Sequence, residues 1–196
     1  MERRCDKIIH CPQDSSDEED CAMVIFAQTY RQEFAPVEVT EEGMIQRADV
    51  EISMELLEIL KISEVDNLFS CQLRLLLTWR DQRLQLTNLK ADPDNNSLSK
   101  QELEQLWVPR LVFANTEERE ELVRDSKETA TIAKLGSVTL ATDDNIDNAL
   151  LSKGSENPIT LKRTYKGNNN NAFISCFSLN ISVVNVYRIH LMQLLP

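Results

Sequence analysis

The chain of 196 residues has few of the residues on which most enzymes and zinc proteins depend. It has only two histidines, His10 and His190, in unrelated segments, so neither a zinc site nor histidine-based catalysis is expected. Its four glycines form no phosphate-binding loop. No pair of acidic or basic residues stands out for acid–base chemistry, and we therefore predict that the protein is not an enzyme.

Long apolar runs and basic clusters are missing as well. No stretch of about 18 apolar residues is present, so no transmembrane helix is predicted. No apolar segment follows the N-terminal arginines, so no signal peptide is predicted. The formal net charge is -11, which argues against a nucleic-acid partner, because phosphate binding requires clustered Lys and Arg. A hydrophobic content of 42% is typical of a folded domain.

Short strand patterns dominate the chain after Pro36. The clearest extends from Phe69 to Trp79, where apolar residues alternate strictly with mostly polar ones, as in a strand with one buried face. The other predicted elements are strands at Val50–Leu56, Thr129–Ala141 and Pro158–Tyr165, a turn at Asp92–Asn96, and loops at Asp143–Asn157 and Gly167–Asn171. Short strands separated by turns predict an all-β sandwich.

The composition divides the chain into four parts. Residues 1–21 contain three cysteines and an acidic run. Residues 22–35 are expected to be a linker, whose apolar spacing is compatible with a short helix. Residues 36–179 form the predicted β domain, and residues 180–196 are expected to be a tail that does not belong to it.

Two tryptophan-containing blocks carry the main functional signal. In the first, Trp79 continues the apolar face of its strand and is predicted to anchor the core, while Asp81 and Arg83 are expected to brace the following turn as a charge-assisted pair. The second block contains Trp107 and Pro109, and Asn115 follows it. A proline cannot donate a hydrogen bond to a neighbouring strand, so Pro109 is predicted to mark a strand edge or bend.

The order and spacing of the two blocks resemble the extracellular ligand-binding domain of the Cys-loop receptors, the pentameric ligand-gated ion channels. The resemblance extends over residues 36–179. It implies an immunoglobulin-like β-sandwich that binds a small-molecule transmitter between neighbouring subunits of a pentamer. In the full-length protein, binding would be coupled to ion transport across the membrane.

The resemblance also indicates candidate ligand-binding residues. Arg74 stands at a family ligand position, five residues before Trp79, and an arginine there suits an anionic ligand. A solvated position on the outer face of the sheet is the alternative. Arg110 replaces the aspartate that follows the second block in the family, and Asn115 completes the candidate set.

The C-terminal part departs from the family pattern. Cys176 resembles the first cysteine of the signature loop, but the expected proline turn near Val184 and the second cysteine near His190 are missing. We expect that the family sequence ends near Leu179 and that both ends of the chain are incomplete. Contact with the membrane would then depend on C-terminal helices that this chain lacks.

The N-terminal cysteines resemble the C-terminal half of an LDL-receptor class A module. A module this small relies on disulfides and calcium, because it buries little apolar surface. The resemblance implies a Cys5–Cys21 disulfide, calcium ligands Asp6, Asp17 and Glu18, and an extracellular location. The alternative is an acidic tail with unrelated cysteines.

The remaining predictions concern modification and rival functions. Asn95 begins a glycosylation sequon in a turn, and Cys71 is expected to be a small core residue. Two other functions fit the same residues. One is a secreted binding protein without a pore, and the other is an extracellular adhesion or scaffolding module.

Overall fold

The computed structural model describes residues 5, 8–19, 21–39, 42–65, 68–113, 123–124, 128–140, 150–170, 181–184 and 189–193. These residues form short and long strands, one α-helix and one 3-10 turn. The strands are β1 (Val24–Ile25), β2 (Val37–Val39), β3 (Ile45–Arg47), β4 (Val50–Ser63), β5 (Leu68–Trp79), β6 (Gln85–Leu86), β7 (Arg110–Phe113), β8 (Val123–Arg124), β9 (Thr129–Ile132), β10 (Val138–Leu140), β11 (Leu150–Lys153), β12 (Ile159–Asn170), β13 (Ile181–Val184) and β14 (Ile189–Gln193). The helix α1 is Lys100–Gln105, and the 3-10 turn is Pro93–Asn95.

Two sheets form the body of the molecule. One has the strand order β14-β4-β5-β12-β8, with β9 also paired to β12, and the other has the order β1-β6-β11-β10. Two smaller sheets pair β2 with β3 and β7 with β13. The described strand pairs are antiparallel except for β14 with β4, which is parallel. The predicted all-β sandwich is confirmed.

The core lies between these layers because β5 and the first parts of β4 and β12 bury alternate side chains. On β5, the alternation predicted from the sequence is confirmed, since Cys71, Leu73, Leu75, Leu77 and Trp79 are all buried. The remaining core side chains are Met23, Val24, Val50, Ile52, Leu84, Leu86, Leu89, Leu106, Trp107, Ala130, Ile132, Ile159, Leu161 and Tyr165. Each such side chain adds about 1.5–3 kcal/mol when fully buried, before the entropy of ordering it is subtracted.

The second half of β4 follows a different pattern from the first. Leu57 and Leu60 are unpaired, because the register with β5 shifts between Leu56 and Glu58 and again between Ile59 and Lys61. These two bulges keep Leu56 opposite Leu73 and Ile59 opposite Cys71, so apolar residues three apart share one face. This part of the strand is nevertheless about half exposed, at 45% for Leu56 and 51% for Ile59.

The turn predicted at Asp92–Asn96 is confirmed, and it is followed by α1. Asp92 caps the 3-10 turn by accepting a hydrogen bond from the Asp94 N–H. The buried Asn96 then fastens the turn to the sheet: its side-chain amide donates to the carbonyls of Lys90 and Ile132, both at 2.9 Å, and its side-chain oxygen accepts from the Lys90 N–H at 2.7 Å. The amide is fully satisfied, which is what its burial requires.

The segment 22–35 is not the linker that the sequence suggested. Val24 pairs with Leu86 across β1 and β6, and both Met23 and Val24 are buried in the core. The segment contains a strand and turns instead of a helix. Burial of these apolar side chains against β6 outweighs the helix-like spacing on which the prediction rested.

Four further expectations differ from the structure. The loop at 143–157 contains β11, which pairs with β6 and β10. The loop at Gly167–Asn171 is part of β12 as far as Asn170, because Gly167–Asn170 pairs with the start of β5. The stretch Thr129–Ala141 is divided into β9 and β10. The C-terminal segment 180–196, expected to lie outside the fold, contributes β13 and β14.

Candidate functional site

The turn after β5 is held by a buried ion pair. The Asp81 side chain is completely buried and lies between two donors of Arg83, with Nε at 2.8 Å and Nη2 at 2.6 Å. The Arg83 backbone N–H also donates to the same carboxylate, at 3.1 Å. Burial would lower the pKa of Arg83, but the hydrogen bonds and charge of Asp81 outweigh that effect, and the net shift is upward. The predicted pair is therefore a bidentate, charge-assisted one.

Tyr30 connects this ion pair to the second tryptophan block. Its hydroxyl donates to Asp81 Oδ2 at 3.3 Å and accepts from the Trp107 backbone N–H at 2.8 Å. Its ring lies 4.6 Å below the Arg83 guanidinium, a cation–π contact. Burial, together with the negative charge of Asp81, raises the pKa of Tyr30 to about 12. We call Tyr30, Asp81 and Arg83 the brace.

The two tryptophans pack against each other beside the brace. Trp79 and Trp107 meet edge to face, with ring centroids 5.9 Å apart and an interplanar angle of 84°. Such contacts add about 0.5–1.5 kcal/mol beyond burial alone. Pro109 is buried and immediately precedes β7, at the strand boundary that its missing N–H favours. These residues build the framework and form no exposed binding surface.

The backbone of Gly154 packs against the turn that contains Asp81 and Arg83. Its N–H donates to the Leu84 carbonyl at 3.0 Å, which brings its backbone against the turn after Asp81. A Cβ atom at Gly154 would lie 2.2 Å from the Asp81 carbonyl oxygen, where no side chain fits. Gly154 was missed in the sequence because it lies in a polar stretch that reads as a loop, and Tyr30 was missed because its segment reads as a linker.

A second buried carboxylate joins α1 to β1. Glu102 accepts from the backbone N–H groups of Met23 at 2.6 Å and Val24 at 3.0 Å through one oxygen. Its other oxygen accepts from the N–H and hydroxyl of Ser99, at 2.8 and 2.7 Å, completing the capping box of α1. The sequence pattern that indicates the capping box is Ser99 followed three residues later by glutamate.

Arg74 lies on the outward face of β5, between the buried Leu73 and Leu75. Its Nη1 is 2.7 Å from Glu55 Oε2, and the two side chains are 31% and 47% exposed. Its Nε is buried and has no hydrogen-bond partner among the described residues. Arg74 is therefore an outer-face arginine with one carboxylate neighbour and unused donor capacity.

Arg110, a second candidate ligand residue, is separated from Arg74 in the topology. Arg110 is exposed at the start of β7, which belongs to the small sheet with β13, whereas Arg74 belongs to the large sheet. Asn115 and Cys176 lie outside the described residues.

The N-terminal segment contains a disulfide between Cys5 and Cys21, the pair that the resemblance indicated. Cys11 is exposed and outside this disulfide. Asp17 accepts from the backbone N–H groups of His10 at 2.5 Å and Cys11 at 3.2 Å, and these bonds, that of His10 first, lower the pKa of Asp17.

The described residues of this segment do not by themselves complete a calcium site. The Asp17 carboxylate is occupied by the loop backbone, and Asp6 lies outside the described residues. In the described part of the chain, no three Asp, Glu, His or Cys side chains converge as metal ligands would. We therefore derive no chemistry from calcium.

Asn95, the candidate glycosylation residue, is exposed in the 3-10 turn, and its amide donates to Asp92 Oδ2 at 3.3 Å. The next residue, Asn96, is the buried one. No helix among the described residues is long and apolar enough to cross a membrane.

The described residues form a β-sandwich whose turns are fixed by a buried brace and whose outer face carries charged side chains. Comparison with known proteins identifies the kind of domain. Residues 18–148 match the family model of the neurotransmitter-gated ion-channel ligand binding domain. The match covers more than half of the chain, and the protein belongs to this family, which is not an enzyme family. No curated protein matches the chain.

Proposed function

We propose that this chain is the extracellular ligand-binding part of a Cys-loop receptor subunit, in which ligand binding is coupled to ion transport by the full-length protein. The observation that carries the proposal is the family match over residues 18–148. The brace supports it, because Tyr30, Asp81 and Trp107 join three separate segments into one rigid unit. Binding at one place can then displace another, as a ligand-driven change of state requires.

The ligand would be an anionic small-molecule transmitter, bound at the outer face of the sheet near Arg74. Arg74 has donor atoms left over after its contact with Glu55. A carboxylate on a ligand would use those donors, and a guanidinium binds carboxylates in a planar, two-point manner. Arg110 and Asn115 are the further candidates, provided a neighbouring subunit brings them to the same ligand.

Five such chains would form a ring, because family members bind their transmitter between neighbouring subunits. Head-to-tail contacts that close on themselves give this symmetry. The calcium site of Asp6, Asp17 and Glu18 and the glycan at Asn95 belong to the same extracellular setting. They remain predictions from the sequence resemblance and from the sequon.

The test is a binding measurement on the assembled protein. The mass of the purified chain is first measured by analytical ultracentrifugation, and L-glutamate and acetylcholine are then titrated by calorimetry. We expect a pentamer that binds glutamate more tightly than acetylcholine. Replacing Arg74 with alanine is expected to weaken glutamate binding by about tenfold or more, the loss typical of a charge-assisted contact. Arg80→Ala, an exposed arginine beyond Trp79, is the control and should leave the affinity unchanged.

The possible outcomes separate the candidate functions. Tighter binding of acetylcholine, or an Arg74→Ala variant with unchanged affinity, contradicts the anionic ligand. A pentamer that binds neither compound and instead retains a protein partner supports the adhesion or scaffolding alternative. Ligand-evoked currents from cells expressing the full-length gene product would distinguish a channel from a secreted binding protein.

A further inference from the structure

A cleft lies between α1 and β12, away from Arg74. It has a volume of about 530 Å³ and is lined by residues of α1, its flanking segments and β12. Its apolar walls are Leu98, Leu103, Leu106 and Val108. This volume and lining are within the range of small-molecule sites, which combine apolar walls with a few polar groups.

The polar groups of the cleft are Arg163 and Glu128. Arg163 Nε lies 2.6 Å from Glu128 Oε1, and these side chains are only 11% and 15% exposed. Arg163 Nη1 donates to the Pro109 carbonyl at 3.3 Å, and Tyr165 accepts a further hydrogen bond. Burial lowers the pKa of Arg163, although arginine remains protonated at neutral pH. A guanidinium carries more N–H donors than a carboxylate and two single acceptors engage, so it can accommodate a further acceptor.

The cleft and the outer-face arginine lie on opposite sides of one sheet. Arg163 on β12 is paired with Leu75 on β5, and Leu75 is buried in the core. The next pair is Thr164 with Arg74, whose side chains point to the other face. A molecule in the cleft therefore occupies a different site from a ligand at Arg74.

The charges around the cleft balance. Arg163 is paired with Glu128, and at the rim Lys100 is paired with Glu104 at 3.6 Å. A charged ligand would lose its hydration without gaining an uncompensated opposite charge, whereas a neutral one loses little. We propose that this cleft binds an uncharged, mainly apolar small molecule whose single hydrogen-bond acceptor, such as a ketone or ester oxygen, contacts the Arg163 guanidinium.

The test compares three probes that share an apolar tail: 2-octanone, octanoate and octylamine. Each is titrated into the full chain at pH 7, and binding is followed by the amide NMR signals of the wall residues Leu106 and Val108. We expect saturable binding of 2-octanone, with an affinity about tenfold or more above that of either charged probe, because burying an ion without a partner is costly. Tighter binding of octanoate or octylamine, or no saturable binding of 2-octanone, would overturn the proposal.

Variants locate the site. Leu103→Trp fills the cleft and should abolish 2-octanone binding, whereas Leu135→Trp, at an exposed residue outside the cleft, should not. Circular dichroism checks that each variant is folded. If Leu103→Trp does not fold, Leu98→Phe takes its place, since Leu98 also lines the cleft. Binding that survives in the folded, filled variant refutes this location.

Glu104→Gln tests the charge argument separately. It removes one negative charge from the rim without touching the walls, so the affinity for octanoate relative to 2-octanone should rise severalfold. An unchanged ratio would mean that charge balance does not select the ligand, and the proposed preference for neutral molecules would then be wrong.

Discussion

The Asp81–Arg83 pair and the Glu128–Arg163 pair have the same chemistry but different surroundings. Asp81 and Arg83 are two residues apart on one turn. They are enclosed by the Tyr30 ring, by the backbone carbonyls of Arg31 and Phe34, and by the backbone at Gly154. Glu128 and Arg163 come from distant parts of the chain and line an open cleft. The first pair leaves no room for a ligand, whereas the second leaves both room and donors. The space around a buried ion pair therefore decides whether the pair is only structural.

The largest expected effect is at Asp81. Asp81→Asn keeps the shape but leaves the Arg83 charge without its counter-charge and turns an amide donor toward other donors. We expect a loss of about 3 kcal/mol in the free energy of unfolding, at the lower end for a broken buried pair because Arg83 retains some solvent contact. Urea unfolding followed by tryptophan fluorescence measures it. Asp94→Asn, at an exposed aspartate, is the control, and an equal loss in both variants would contradict the role of the brace.

Changing the Glu128–Arg163 pair of the cleft should lower the free energy of unfolding by less than Asp81→Asn does. Glu128→Gln removes the charge but keeps an acceptor for Arg163 Nε, so we expect a loss of about 2 kcal/mol, within the range for hydrogen bonds to charged groups. Glu104→Gln at the exposed rim should change the stability by less than about 0.5 kcal/mol. Urea unfolding of both variants provides the comparison. A loss larger than that of Asp81→Asn would reverse the order of the two pairs.

Removing a single hydroxyl tests the link between the two tryptophan blocks. Tyr30→Phe keeps the ring under Arg83 but leaves the Trp107 N–H without its acceptor, and we expect a loss of about 1.5 kcal/mol for that unsatisfied group. Tyr30→Leu, which also removes the ring, should be less stable again. If Tyr30→Phe unfolds at the same urea concentration as the parent protein, the hydroxyl does not join the blocks.

A further comparison concerns stability at alkaline pH. The folded pKa of Tyr30, about 12, lies above the ordinary value of 10, so its neutral form is favoured by folding. The resulting stability is fully present below pH 10 and is lost as the pH rises toward 12. Unfolding free energies measured between pH 9 and 12 should fall more steeply for the parent protein than for Tyr30→Phe. Parallel curves would show that Tyr30 does not titrate in this way.

The sequence correctly predicts those elements whose structure is determined by a single local pattern. β5 follows strict alternation, and Asp81 with Arg83 lies at a turn where a local pair is the simplest arrangement. The second half of β4 has apolar residues at helix-like spacing, and only its pairing with β5 makes it a bulged strand. Tertiary contacts decide that outcome, and a pattern within one segment does not contain them.

The residues of the cleft and of the second carboxylate network were harder to predict. Arg163 occupies an inward position in the alternation of Ile159, Leu161 and Tyr165, but its partner Glu128 is far away in the sequence. From the sequence alone, Glu102 is expected to be a solvated residue of a short helix. Only the folded position of β1 brings backbone N–H donors to its carboxylate. Long-range pairing of a charged residue leaves almost no local signal, since its polarity alone predicts exposure.

The two bulges of β4 have a consequence for changes in chain length. Leu57 and Leu60 have no partner on β5, so deleting either one would leave every remaining pair opposite its present neighbour. Deleting Ser53, which is paired with Leu76 in a regular stretch of the strand, would instead force neighbouring residues to exchange faces. Related genes should therefore gain or lose single codons at these two leucine positions inside a strand, a place where insertions and deletions are usually eliminated.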